Sequence, residues 1–130
     1  MESDDTTAAA AAELFPLEIM AQLRANAEET LAAQRAGKDE PDHYPVVKIF
    51  NPYGGGTWIL TEVDADGIAF GLCDLAMGSP ELGYVALEEI EGLRIKLGRH
   101  ALPLERDLYF KALDTLSQYT ERAREAGEIV

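Results

Sequence analysis

Cysteine is nearly missing from this chain. Cys73 stands alone among 130 residues, so no internal disulfide can form. A lone thiol fits a reducing compartment, and the expected localisation is cytoplasmic. Histidine is almost as scarce, with only His43 and His100. Both lie far from Cys73 in sequence and match no zinc pattern, so no metal and no other cofactor is expected. No apolar run reaches the length that a membrane-spanning helix needs. The opening MESDDTTAAAAAE carries acids where a secretory leader carries bases, and no Leu-rich stretch follows, so it does not read as an export signal.

Positive charge is the other shortage. Eleven Lys and Arg face 24 Asp and Glu, giving a net charge of −13 and a pI near 4.4. Nucleic acids and anionic membranes are bound by bases that neutralise phosphates, so neither is expected as a direct partner. Between Lys48 and Arg94 there is no base at all, yet the stretch holds Glu62, Asp64, Asp66, Asp74, Glu81, Glu88, Glu89 and Glu91. One reading is a solvated face kept soluble by charge of one sign. The sharper reading is a surface built to meet a protein partner with a basic surface.

What is present is ordinary for one globular domain: 47% of residues are hydrophobic and 27% charged. Residues 1–12 are acidic and then alanine-rich, and read as a disordered tail ahead of a single domain over 13–130. From Pro16, the residues Leu17, Met20, Leu23, Ala27 and Leu31 recur at helical spacing, with Gly37 as the stop. KDEPDHYP (38–45) reads as a linker. PVVKIF (45–50), TWILTEV (57–63), IAFGLCDL (68–75) and ELGYVAL (81–87) read as strands, and the last three suggest an antiparallel meander. Asp66-Gly67 signals a hairpin turn. ALEEIEGL (86–93) reads as a short helix with Glu88, Glu89 and Glu91 outward. RIKLGRHALP (94–103) reads as irregular and holds Arg94, Lys96, Arg99 and His100. LERDLYF (104–110) reads as a strand, and TLSQYTERAREAG (115–127) as a closing helix. The expected fold class is α+β, a mainly antiparallel sheet with the N-terminal and C-terminal helices packed on one face.

Candidate chemistry is thin. NPYGGGTW lacks the Gly-Lys-Ser/Thr of a phosphate loop and reads as a turn before a strand. Cys73 has Asp74 beside it, and a carboxylate raises rather than lowers a thiol's pKa, so a packed, inert thiol is expected. Small residues at 69, 71 and 73 suggest a helix lying close to that face of the strand. DADG (64–67) begins like a calcium loop, but position 12 of such a loop falls on Leu75, so a turn is expected. Glu62, Asp74, Glu81, Glu105 and Asp107 lie in or at the ends of expected strands, where carboxylates are disfavoured. In a meander, Glu62, Asp74 and Glu81 can meet at one end of the sheet. The candidate acidic surface is therefore Glu62, Asp74, Glu81, Glu88, Glu89 and Glu91, and the candidate polar network is Glu105, Arg106 and Asp107. No catalytic residue is assigned.

The segment PVVKIFNPYGGGTWILTEVDADGIAFGLCDLAMGSPELGYVALEEIEGLR, with LPLERDLYF and LSQYTERAR, resembles a proteobacterial family of domains of unknown function carried on plasmids, integrative elements and phage-derived regions. The likeness lies in the patterns NPxGxGTWLLTE, AFGLCDLGxGxPELGYVSL and LPxERDLxF, over about residues 45–124. Ala76 stands where that family commonly has glycine, and Ala86 where it has serine. The resemblance implies no activity, cofactor or catalytic residue. Its setting beside antirestriction and single-stranded-DNA-handling proteins implies an accessory protein of mobile elements. Two function classes remain: a non-enzymatic interaction module that meets a basic DNA-handling or host-defence protein, and a small enzyme using the strand-end carboxylates, with Arg106 or His100.

Overall fold

A computed structural model describes residues 13–130; the expected tail at 1–12 lies outside the described residues. The elements run α1 (Leu17–Arg35), β1 (Val47–Phe50), β2 (Thr57–Val63), β3 (Ile68–Asp74), β4 (Glu81–Ala86), α2 (Leu87–Gly92), β5 (Arg94–Leu97), β6 (His100–Pro103), β7 (Glu105–Arg106) and α3 (Leu116–Ala126). Five strands form one antiparallel sheet in the order β4-β3-β2-β1-β7, and β5 and β6 form a separate hairpin. The α+β class and the β2-β3-β4 meander are as expected. Among the described residues no helix is long and apolar enough to cross a membrane.

The helices cover both faces of the sheet, not one. The central strand β2 is apolar at consecutive positions, Trp58-Ile59-Leu60, and alternation then sends apolar side chains both ways. On one face Trp58, Leu60, Val47 and Ile49 pack with Leu14, Phe15, Leu23 of α1 and Leu87 and Ile90 of α2. On the other, Ile59 and Leu72 pack with Leu116, Tyr119 and Ala123 of α3.

The ladder between β2 and β3 breaks once. Leu60 pairs with Gly71, but Phe70 then pairs with Glu62 and Ala69 with Val63, leaving Thr61 as an extra residue. This β-bulge shifts the parity of everything after it. Val63 joins Trp58 and Leu60 in the first core, and Glu62 turns to the α3 face beside Phe70. The same feature explains Gly71. An added Cβ there would sit 2.1 Å from the Ile59 carbonyl oxygen and 2.8 Å from the Leu60 Cα, so the neighbouring strand demands the glycine, not a helix.

Helix α1 is rotated from the expected stripe. Leu17 is 86% exposed and Leu31 is also exposed, while Leu23, Asn26 and Thr30 are buried. The cause lies at the end of β2. β1 begins opposite Leu60, so β2 beyond that point has no strand beside it there, and α1, which packs chiefly on β2, occupies the space. Asn26 Nδ2 donates to the Thr61 carbonyl at 2.9 Å, satisfying a group that the ladder leaves unpaired.

Two expectations fail for local reasons. The stretch 94–103 is a hairpin whose turn is Gly98-Arg99; Gly98 has φ +60 and Arg99 does not share that sign, the signature of a type II′ turn. The strand expected over 104–110 stops at Arg106. There the Asp107 carboxylate accepts the Tyr109 N–H at 2.9 Å and the Asp107 carbonyl accepts the Phe110 N–H, and this local turn competes with the ladder. Tyr109 is left 93% exposed.

Replacing Gly71 with alanine is expected to destabilise the domain by about 3 kcal/mol or more, because backbone must move to admit the methyl group. Urea unfolding checks this; a loss below about 1 kcal/mol would mean that the bulge does not press on Gly71 as described.

Candidate acidic surface and crevice

The expected acidic surface divides into parts with different roles. Asp74 is buried, and its Oδ1 accepts the Ala76 N–H at 2.8 Å while Oδ2 accepts the Ile129 N–H at 2.9 Å. It fastens the turn after β3 to the C-terminal segment. Ala76 in that turn has φ +63, a left-handed conformation that glycine adopts more readily than alanine. Gly55 of the NPYGGG loop abuts the Ala76 methyl, and Asn51 closes that loop by bonding Tyr53 N–H and the Gly55 carbonyl. The loop is a packed turn.

Glu62, Asp74 and Glu81 do not converge. Glu62 lies on the rung Glu62–Phe70–Tyr84, whereas Asp74 pairs with Thr57 and Glu81 with Cys73. Five positions along β2 separate Glu62 from Thr57, the partner of Asp74, which is roughly 16 Å of strand. Glu81 sits exposed beside Arg124 in an open depression of about 410 Å³. Glu105 is exposed, Asp107 is spent on its turn, and Arg106 makes no ion pair among the described residues. The Arg106 Nε is buried without a partner among the described residues.

Glu88, Glu89 and Glu91 are exposed on α2, whose Leu87 and Ile90 are buried. The Leu87 N–H donates to the Gly67 carbonyl at 3.0 Å, which fixes the start of α2 against the β2–β3 turn. That turn presents Asp64 and Asp66, with Asp64 Oδ1 accepting the Asp66 and Ile68 N–H groups. Five acids from two separate stretches thus gather at one end of the sheet. None of them is in an ion pair among the described residues. The nearest base in sequence, Arg94, turns its Nη1 to the Glu91 and Leu93 carbonyls.

At the same end, on the α3 face, lies a crevice of about 190 Å³ that sequence reasoning missed. Thr30 Oγ1 donates to Glu62 Oε2 at 2.8 Å and stands 3.2 Å from His43 Nε2. Since the hydroxyl has a single proton, His43 Nε2–H is the donor in the second contact. The His43 side chain is 10% exposed and that of Glu62 19%. Phe70 and Tyr84 form the aromatic side of the crevice, their centroids 4.9 Å apart. The available signal was a histidine in a Pro-bounded linker and a threonine in step with Leu23 and Asn26, off the expected apolar stripe.

The linker also starts α3. The His43 carbonyl accepts the Leu116 N–H at 2.8 Å, Asp42 Oδ1 accepts the Ser117 N–H at 3.1 Å, and the Ser117 hydroxyl donates to Asp42 Oδ2. Burial alone would raise the Asp42 pKa, but the hydrogen bonds from Ser117 and Thr115, with His43 nearby, hold it below its ordinary value. Cys73 is packed against the first core, and burial pushes its thiol pKa up. No group of three or more His, Cys, Asp or Glu able to hold a metal ion occurs among the described residues.

The chain belongs to the family described as protein of unknown function DUF2958, which matches residues 14–130. No curated protein and no solved structure matches it.

Asp42→Ala is expected to cost about 1 kcal/mol at neutral pH through the lost helix cap. Because the folded carboxyl titrates below the unfolded one, its contribution is complete above about pH 4 and is lost as the pH falls through the folded value. Urea unfolding of both proteins should therefore show the gap narrowing as the pH falls below the ordinary carboxyl range. A pH-independent gap would contradict the ionic cap.

Proposed function

We propose that this chain is a non-enzymatic protein-interaction module whose acidic end meets a basic surface of another protein. In the mobile-element setting that the family resemblance implies, the partner would be a DNA-handling or host-defence protein, and the setting would be cytoplasmic. One observation carries the reading: the hydrogen bond from Leu87 to Gly67 joins the turn acids Asp64 and Asp66 to Glu88, Glu89 and Glu91, none of them ion-paired among the described residues. Such a gathering of one sign favours fast, salt-sensitive association with the opposite sign. The enzyme reading needs some of Glu62, Asp74, Glu81, Glu105 and Arg106 to converge in a concave pocket, and it loses support because Glu62, Asp74 and Glu81 lie apart and Asp74 is already bonded.

The test is salt-stepped affinity capture from a proteobacterial lysate with the native chain and with E88Q/E89Q/E91Q. The variant should fold with stability within about 0.5 kcal/mol of the native chain, since all three side chains are exposed. Specific basic proteins held by the native chain should be lost or released at lower salt. Equal retention by both chains would remove α2 from the interface.

A further inference from the structure

The crevice beside the acidic end has the chemistry of a receptor for one side chain. We propose that it accepts a single arginine side chain of the basic partner, a proposal that rests on the interaction reading above and adds a specific anchor to it. Size comes first. About 190 Å³ is below the range of roughly 300–1,000 Å³ typical of pockets for whole small molecules, so the space suits one side chain better. Charge comes second. Glu40, Asp42 and Glu62 line the crevice, and no Lys or Arg does.

Hydrogen-bonding capacity comes third. Glu62 Oε2 is taken by Thr30, but Oε1 has no donor among the described residues. His43, nine-tenths buried, is already engaged through Nε2 with the Thr30 hydroxyl, so it holds that hydroxyl in place on Glu62. A guanidinium brings five donors and no acceptor. The aromatic side comes fourth. Tyr84 is 76% exposed on the edge strand β4 yet held in place by Phe70, which offers a ring face on which a planar cation stacks. A lysine ammonium meets the charge but lacks the flat group.

The test is a titration of the full ¹⁵N-labelled chain with acetyl-Gly-Arg-Gly-amide, with citrulline or lysine replacing arginine in two control peptides. Saturable amide shifts are expected at Thr30, Glu62 and Tyr84, with at least tenfold weaker binding of the citrulline peptide and weaker binding of the lysine peptide. Tyr84→Ala, whose parent side chain is mostly exposed, should weaken binding about three- to fivefold while the amide spectrum stays that of the folded chain. Equal binding of the citrulline peptide, or no saturable shift, overturns the proposal. Equal binding of the lysine peptide overturns the assignment to guanidinium. Shifts confined to Asp64, Asp66 and the α2 glutamates overturn the crevice as the anchor while leaving the acidic end as the interface, so the two readings fail separately.

Discussion

The extra residue at Thr61 is the constraint on which the rest of the molecule depends. A regular β2 would alternate without interruption, placing Glu62 with Trp58 and Leu60 under α1 and turning Val63 out to the other side. One bulged residue reverses both assignments. Val63 completes the apolar face, and Glu62 reaches the α3 side, where Thr30 bonds it. The bulge also brings β2 so close to β3 that only glycine fits at position 71. The carbonyl of Thr61, left without a ladder partner, is met by Asn26. Burying an ionised carboxylate under an aliphatic core costs several kcal/mol, so the parity change decides whether this sequence can fold as it does.

Much of the architecture was legible in the sequence because it follows from alternation and punctuation. The strands 57–63 and 68–74 and the Asp66-Gly67 turn were readable from β-branched and aromatic runs bounded by turn residues. The illegible parts have two physical causes: some depend on a partner distant in sequence, and others on local turns that no strand or helix period announces. The rotation of α1 follows from where β1 begins, which no helical periodicity records, and the polar residues Asn26 and Thr30 became the buried ones because they meet an unpaired strand end. A two-residue turn at Gly98-Arg99 was masked by the bases around it, and Asp107 ended a strand by a bond to its own backbone.

The candidate site was half legible. Glu88, Glu89 and Glu91 stood out as the outward face of a short helix. Their union with Asp64 and Asp66 required the contact between Leu87 and Gly67. Glu62 was singled out as an acid in an unlikely place, and the reason for its place is the bulge. The crevice itself draws on α1, the linker, three strands and α3, a combination that no local pattern announces. The linker His43 and Asp42 do double duty there, lining the crevice and holding the first turn of α3. The last helix and the crevice thus rest on the same linker residues.

The most direct test of this account is the direction of Glu62 in solution, read from nuclear Overhauser contacts of its side chain. The bulged register predicts contacts from the Glu62 side chain to the Phe70 and Tyr84 rings and the Thr30 methyl, with Val63 touching Ala69. Contacts of Glu62 with Leu23, and of Val63 with Phe70, would mean an unbroken ladder and would contradict the account.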